Sequence, residues 1–496
     1  MLPTLSEPQR NEGKLTRWPV MLSICVLLLV VAAATAVQPI VGLGLSAALL
    51  VGSVLVLQPQ VGTTVFTGLL YANLIAVAIK FHGAPALVGL ALPVLLLAPI
   101  IHHLWRGRGI VVPKELPFVL LFVLAQFLGV LFSRDVPTAA NQLRESILEG
   151  VLIYLLVVNA ARTPQALWHI LWALLAAAVV MGIAPIIQQL TGNFGTTFGG
   201  LGQVLDTPIS TASGSGKQLR LSGTIGETNR YAQVMLMLVP VGLVVAWQAR
   251  GALSRAFAVF ATAVALGGFV LAFSRGGAVA AVGVFAAAMM IRVISFRQGV
   301  TIAGAGFLLL LAVPQFRDRM MTLPGVGTLI HGREPESDGA VKGRLTEMIA
   351  AAQVFADHPI IGVGPGVFPS YCRDYGNRLN IRRLDTEREA HCLYLELGAE
   401  NGIVGIVGFG GMVGLVVLRL IRQRRRWLWH PHIAALATAA LLMNLAYLAS
   451  AVFLHMSYLR YFWFTLALGS ATAMVLEKGP PDAVRERMAK LIGRTP

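Results

Sequence analysis

Long apolar runs alternate along the chain with short polar connections. The run at 20–37 is followed after a Gln-Pro break by another at 40–57, so we interpret the first as a retained membrane helix and not as a cleaved signal peptide. The other runs lie at 65–79, 85–104, 116–132, 147–158, 167–190, 232–247, 256–273, 278–291, 300–313, 403–418, 433–453 and 461–476. Because about 20 apolar residues cross a bilayer as a helix, the pattern predicts an all-α integral membrane protein with about 12–14 spans.

Two polar segments interrupt the apolar pattern. The first covers 191–229, and the second, at 315–396, is far longer than an ordinary connection between helices. We therefore divide the chain into N-terminal spans at 1–314 that include the first segment, the large loop at 315–396, C-terminal spans at 397–477 and a basic tail at 478–496. The tail pattern predicts a short amphipathic helix on the membrane surface.

The large loop contains a helical pattern followed by a glycine-rich turn. Apolar side chains recur at helical spacing over 344–356, and this helix should end before Pro359. The sequence GVGPG at 362–366 matches a nucleotide-binding loop only weakly, because it follows a helix and no basic residue comes after it. A tight turn that packs the loop is the better interpretation.

Basic residues set the predicted orientation. With 56% hydrophobic and 12% charged residues, the chain is not an ordinary soluble domain. If the N-terminus is cytoplasmic, most basic residues fall in inner connections and both polar segments fall outside. The formal charge of +16 then follows from topology and contact with anionic membrane lipids. No basic cluster is interleaved with stacking aromatics, so the sequence does not indicate nucleic acid binding. The inner basic cluster consists of Arg422, Arg424, Arg425 and Arg426.

Several arginines are predicted to lie at the outer edge of the membrane. Arg275 sits between two spans, Arg230 begins another, and Arg220 and Arg344 lie in the adjoining polar segments. A lone interfacial arginine often does no more than reach lipid phosphates. Several guanidinium groups that converge would instead match a diphosphate, since they are planar and permanently charged donors.

His391 lies where the large loop returns to the membrane. Near neutral pH its imidazole can accept a proton from a hydroxyl, and Asp385, Glu387 or Glu389 would be available to orient it. A structural histidine that caps the loop is an equal alternative.

The cysteine and acidic residues give no sign of a metal site or other cofactor. The chain has 3 cysteines without ligand spacing, no Asp-x-Asp pair in an outer loop and no His-Glu-x-x-His helix. Cys25 falls in a predicted span. Cys372 and Cys392 share the large loop, where a disulfide and two free thiols are the alternatives.

Seven short motifs follow one another over roughly the second half of the chain. They are RLSGT at 220–224, NRYA at 229–232, FSRG at 273–276, GR at 343–344, HPIIGVGPGVF at 358–368, HCLYLEL at 391–397 and ENGIVG at 400–405. In this order they resemble the O-antigen ligase and Wzy-type polymerase superfamily, and the order makes the match more specific than any one motif. Many members have Asn after the loop histidine, where this chain has Cys392, which puts a hydrogen bond from that position in doubt.

The resemblance implies a GT-C-like helical membrane fold in the bacterial inner membrane, with a large periplasmic loop and both termini cytoplasmic. It implies inverting, metal-independent transfer of a glycan from undecaprenyl diphosphate. His391 and Arg275 would be catalytic, and Arg230, Arg344 and Arg220 would bind the diphosphate.

The sequence leaves the acceptor open, because a polymerase extends a lipid-linked glycan whereas a ligase adds it to the lipid A core. A polysaccharide or lipid-linked oligosaccharide transporter or flippase is the alternative from another class, since it would also have many spans. Transporters usually carry ionisable residues near the midplane, whereas the charges here collect at the membrane edges.

Overall fold

A computed structural model describes residues 58–211, 214–301, 304, 339–379, 381, 386–456 and 459–479. The predicted spans at 20–37 and 40–57, most of the run at 300–313, and the tail from residue 480 lie outside the described residues. By the density of its internal contacts the chain divides into two units, Met1–Val61 and Gly62–Pro496. The first is described only at 58–61, where a helix begins.

Helices make up nearly all of the described structure, as the apolar pattern predicts. They are α1 (Pro59–Tyr71), α2 (Leu74–His82), α3 (Val88–Val94), α4 (Leu97–Trp105), α5 (Leu116–Leu131), α6 (Val136–Glu145), a π-helical turn (Ser146–Val151), α7 (Leu152–Ala160), α8 (Pro164–Thr191), α9 (Thr228–Gln248), α10 (Ala252–Leu271), α11 (Arg275–Met290), α12 (Gly339–Asp357), α13 (Phe368–Arg378), α14 (Leu393–Arg426), α15 (Pro431–Ser450) and α16 (Leu459–Glu477). Short 3₁₀ turns occur at Phe198–Gly200 and Ala451–Phe453.

Six of the described helices are long and apolar enough to cross a membrane, which confirms the all-α membrane fold. They are α8, α9, α10, α14, α15 with its 3₁₀ extension, and α16. A seventh span is obtained if α1 and α2, which are bent by 55° to each other, count together.

Some predicted apolar runs within the described residues do not form a span of their own. The run at 85–104 is divided between the short helices α3 and α4, with Pro93 inside α3. α5 and α11 have 16 residues each, fewer than the 20 or so that cross the hydrocarbon layer upright. The run at 147–158 begins in the π-helical turn. An apolar run therefore need not form one continuous helix.

The first polar segment forms a β-hairpin, which the sequence analysis did not predict. Strands β1 (Gln203–Thr211) and β2 (Gly214–Gly223) are antiparallel, with Leu205 opposite Arg220 and an irregularity between Gln203 and Val204. The hairpin brings Arg220 to the end of α10.

The glycine-rich turn fills a break in α14, as the tight-turn interpretation predicts. At Gly402 the backbone leaves helical geometry, with φ 60° and ψ −164°. The freed backbone groups pair with the turn: Gly364 N–H donates to Glu400 O at 3.0 Å and Ile403 N–H to Pro359 O at 2.8 Å. Gly402 and Gly362 leave room for this approach, since a Cβ on Gly402 would lie 2.2 Å from the carbonyl oxygen of Ile360.

Contacts between connecting segments show which of them lie on the same side. Arg134, which follows α5, donates from Nη2 to Ser370 Oγ of the large loop at 2.7 Å, so these two segments lie together. Arg162, which follows α7, donates from Nη1 to Gly109 O at 2.8 Å, which brings together the connections that follow α7 and α4. Which end faces the cytoplasm stays a prediction from the basic residues, as do the domain bounds.

A buried ion pair joins three helices at the predicted inner end. Arg419 of α14 pairs through Nη1 with Glu115 before α5 and donates from Nε to Glu477 Oε1 of α16 at 2.8 Å. Ser470 Oγ donates to the other oxygen of Glu115 at 3.0 Å. Because the partners sit near helix ends, this pair holds α5, α14 and α16 together.

Candidate active site

A small cleft lies where α9, α11, α12 and the turn after α15 meet. Both polar segments that are predicted to lie outside supply part of its wall, the first through Asn229 and the second through Arg344. The lining residues are Asn229, Gln233, Ser274, Gly276, Gly277, Arg344, Ser450, Phe453 and Leu454.

Two helices begin at this cleft. Ser274 caps α11, because its Oγ accepts from Gly277 N–H at 3.2 Å, and Glu227 caps α9 by accepting from Arg230 N–H at 3.2 Å. The backbone can approach closely at Gly276, where a Cβ would lie 2.8 Å from the Cβ of Phe453. Helix N-termini attract anions, so the α11 end, which has an uncharged cap, favours a negatively charged ligand in the cleft. At the α9 end the Glu227 side chain already supplies an acidic group.

Arg220 braces the wall of the cleft. Its Nε and Nη2 donate to Ala272 O at 3.1 and 3.0 Å, and Nη2 also donates to Asn229 Oδ1 at 2.9 Å. Ser274 Oγ donates to the same Asn229 oxygen at 3.0 Å. Arg220 therefore links the end of α10 to the start of α9, while its predicted contact with a diphosphate stays a prediction.

Arg230 lies behind the cleft wall and is 1% exposed. Its Nη1 donates to Gln233 Oε1 at 2.7 Å and its Nη2 to His455 O at 2.7 Å. The side chain thus connects α9 to the turn before α16. The guanidinium group is not among the residues that line the cleft, so it could affect a ligand there only through its charge. Direct contact with a ligand stays a prediction.

Arg344 and Arg275 are both partly buried, and they have different relations to the cleft. Arg344 of α12 is a lining residue. Arg275 opens α11, and the lining residues Ser274 and Gly276 flank it in the chain. The structure therefore brings Arg344 directly into the cleft and places Arg275 at its edge.

His391 adopts a left-handed backbone conformation, with φ 49°, directly before α14 begins. Its Nε2 lies 3.8 Å from Oε2 of Glu347, a buried residue of α12 that also pairs with Arg388 at 3.4 Å. Burial, followed by the charges of Arg344, Arg388 and Arg230, lowers the pKa of His391 to about 4. The imidazole is therefore neutral near pH 7 and able to accept a proton.

The carboxylate next to His391 differs from those considered in the sequence. Glu347, far away in the chain, takes this position, whereas Glu387 is exposed and Asp385 lies outside the described residues. Burial raises the pKa of Glu389. Sequence spacing could not reveal Glu347, because only the packing of α12 against the start of α14 brings it to the histidine.

A second histidine, His455, also escaped the sequence analysis. Its ring centroid is 5.8 Å from that of His391, and the ring planes are tilted by 41°. Burial, followed by the charges of Arg230 and His391, lowers the pKa of His455 to about 3.

Cys372 and Cys392 are free, buried thiols, so the structure contains the second of the two cysteine alternatives. Burial raises the pKa of the Cys372 thiol to about 12. Cys392 takes the N-cap position of α14 without a side-chain capping bond. Among the residues in the described ranges, no group of three or more His, Cys, Asp or Glu side chains could hold a metal ion.

Residues of three motifs, at 229–232, 273–276 and 343–344, line one cleft although they are far apart in the chain. Residues 260–410 match the family model of the O-antigen ligases. This range contains Arg275, Arg344 and His391, so the predicted family resemblance is confirmed there, whereas Arg220, Arg230 and His455 lie outside it. The match supports glycosyl transfer by a membrane-embedded ligase or polymerase of polysaccharide. A search of the curated proteins found no match to the chain.

Proposed function

We propose that the chain transfers a glycan from undecaprenyl diphosphate to an acceptor hydroxyl, on the periplasmic face of the bacterial inner membrane and with inversion at the anomeric carbon. The supporting observation is the position of Arg344. Its side chain lines the cleft between the starts of α9 and α11, and its charge is also the strongest single charge acting on His391. Arg344 thus connects the cleft that we propose binds the diphosphate to His391, the proposed base.

In this reaction the acceptor oxygen attacks the anomeric carbon while the bond from that carbon to the diphosphate oxygen breaks. Arg344, the α11 N-terminus and the charge of Arg230 stabilise the negative charge that develops on the departing diphosphate. Arg275, at the cleft edge, adds a further cation. These groups are fixed before the reaction begins, so they lose little energy to reorganisation.

His391 takes the proton that the acceptor hydroxyl loses. Burial and the surrounding arginines disfavour an imidazolium, so the ring is neutral near pH 7 and has a nitrogen available to take a proton. Glu347, whose Oε2 lies 3.8 Å from Nε2, would stabilise the imidazolium that this transfer forms. The proposed roles of His391 and Arg275 as catalytic residues, and of Arg230, Arg344 and Arg220 around the diphosphate, follow from this arrangement.

The test is transfer from a synthetic undecaprenyl-diphosphate-linked oligosaccharide by the purified full chain in lipid vesicles. We expect Arg344→Ala and His391→Ala each to lower the rate by about a hundredfold or more. Arg373→Ala is the matched control, because Arg373 lies on α13 with a side chain that is 49% exposed. Wild-type rates in both site variants would overturn the proposal.

The acceptor distinguishes the two forms of the reaction. Deletion of a polymerase leaves single repeat units on the lipid A core, whereas deletion of a ligase leaves the core without glycan. Gel analysis of lipopolysaccharide from a deletion strain complemented with wild type or His391→Ala therefore separates them, with the variant reproducing the deletion pattern.

A further inference from the structure

His455 belongs to none of the sequence motifs and lies outside the segment that matches the family model. It occupies the turn between α15 and α16, directly after Phe453 and Leu454, which line the cleft. Its Nδ1 is buried and has no hydrogen-bond partner among the residues that the structure describes. A buried polar atom in this state is costly, so a role in the site would explain its presence.

The backbone around His455 is hydrogen-bonded to Arg230 and, through Glu396, to the residue before His391. Its carbonyl oxygen accepts from Arg230 Nη2 at 2.7 Å. The next residue, Met456, donates its N–H to Glu396 Oε1 at 3.2 Å, and the other oxygen of Glu396 accepts from Ala390 N–H at 3.3 Å. One carboxylate therefore holds both the residue before His391 and the residue after His455.

We propose that His455 is a positioning residue for glycosyl transfer: its ring holds the His391 imidazole in place and shields it from water, while its carbonyl holds Arg230. This inference rests on the proposed function. Two observations support it. The ring centroids of His455 and His391 are 5.8 Å apart, and Glu396 accepts hydrogen bonds from both Met456 N–H and Ala390 N–H.

The effect of His455 on His391 comes from its ring and not from its charge. Since the pKa of His455 is about 3, this ring is neutral across the pH range in which His391 titrates. Burial is the main cause of the lowered pKa of His391, and a ring 5.8 Å away contributes to that burial. Three arginines act on His391 by their charge: Arg344 from α12, Arg388 from its own loop and Arg230 from α9. The other titratable groups around it are Glu347 from α12, Glu389 from its own loop and Glu396 from α14.

The experiment measures the transfer rate of the purified full chain from about pH 4 to pH 8, using the same oligosaccharide donor. The His391 side chain is 35% exposed in the wild type, and His455→Ala admits further water to it, so we expect the acid limb of the kcat profile to move upward by about one pH unit toward the ordinary value of 6.5. Misplacement of the base should also lower kcat at pH 7 by about tenfold or more. His455→Phe keeps a ring in place and should retain the wild-type acid limb.

The matched control is His82→Ala, because His82 is an exposed histidine of the same predicted outer side whose Nε2 lies 2.9 Å from Gly199 O. An unchanged acid limb in His455→Ala, or the same upward shift in His455→Phe, would overturn the inference. If His455→Ala does not fold, His455→Gln replaces the ring by an open amide and should shift the limb in the same direction, and an unshifted limb again overturns it.

His391→Ala separates the two proposals in the same assay. Full activity of His391→Ala would refute the proposed function itself. An inactive His391→Ala beside a His455→Ala that behaves like wild type would refute only the positioning role of His455.

Discussion

Oε2 of the buried Glu347 lies 3.8 Å from Nε2 of the partly exposed His391, and this contact joins the helix of the large loop to the start of α14. Glu347 has an exposed fraction of 1%, so its carboxylate is held by its surroundings and cannot turn away to solvent. It is the counterpart that a proton-accepting histidine needs when guanidinium groups surround it.

We expect Glu347→Gln to lower kcat by about a hundredfold, because the amide keeps the shape of the side chain but no longer stabilises an imidazolium. The measurement is the steady-state rate with saturating donor. Glu387→Gln, in an exposed acid of the same loop, is the control and should leave kcat unchanged. Equal rates for the two variants would show that Glu347 does not support His391.

The second prediction concerns pH. The pKa of His391 is lowered to about 4, so the ring stays neutral well below 6.5 and activity should persist to about pH 5 before it falls. The stability of the fold should also decrease as the pH falls. Between pH 6.5 and 4 His391 binds a proton more readily in the unfolded chain than in the folded one. Its contribution to stability is therefore complete above pH 6.5 and is lost as the pH falls toward 4. His455 extends this loss toward pH 3.

Rate profiles and melting temperatures over the same pH range test this prediction. An acid limb centred near 6.5 in the wild-type enzyme would contradict it, because that value describes a histidine exposed to water.

The third prediction concerns the break in α14. Gly402→Ala forces a side chain into a backbone with positive φ and against the Ile360 carbonyl, so we expect a loss of about 2 kcal/mol or more in the free energy of unfolding. Gly410→Ala is the control in the same helix, since a Cβ there meets no atom within 4 Å. Thermal unfolding in detergent should separate the two, and an equally stable Gly402→Ala would contradict the role assigned to the turn.

The fourth prediction concerns the ion pair at the predicted inner end. Arg419→Met leaves Glu115 buried without its cation, which should cost about 3–5 kcal/mol of stability. Arg422→Met removes an exposed arginine one turn further along α14 and should have little effect. If Arg419→Met melts at the wild-type temperature, the pair does not hold α5, α14 and α16 together.

The sequence predicted many of the helices correctly, because the features that indicate a helix lie close together in the chain. Apolar runs, proline positions and helical spacing predicted α8 to α10 and α14 to α16, and the helix before Pro359 was found as α12, ending at Asp357. The turn at 362–366 was also predicted correctly, since glycines permit the positive φ that Gly362, Gly364 and Gly366 adopt.

The arrangement of the site required the tertiary structure, because it depends on contacts between segments far apart in the chain. The sequence singled out His391 and Arg344 as candidates. Only packing decided that Glu347 stands beside His391, that His455 faces it, and that Arg220 binds the protein's own Ala272 carbonyl. A residue type and its neighbours in the chain determine what chemistry a side chain can perform, whereas the partner it meets is set by how the helices pack.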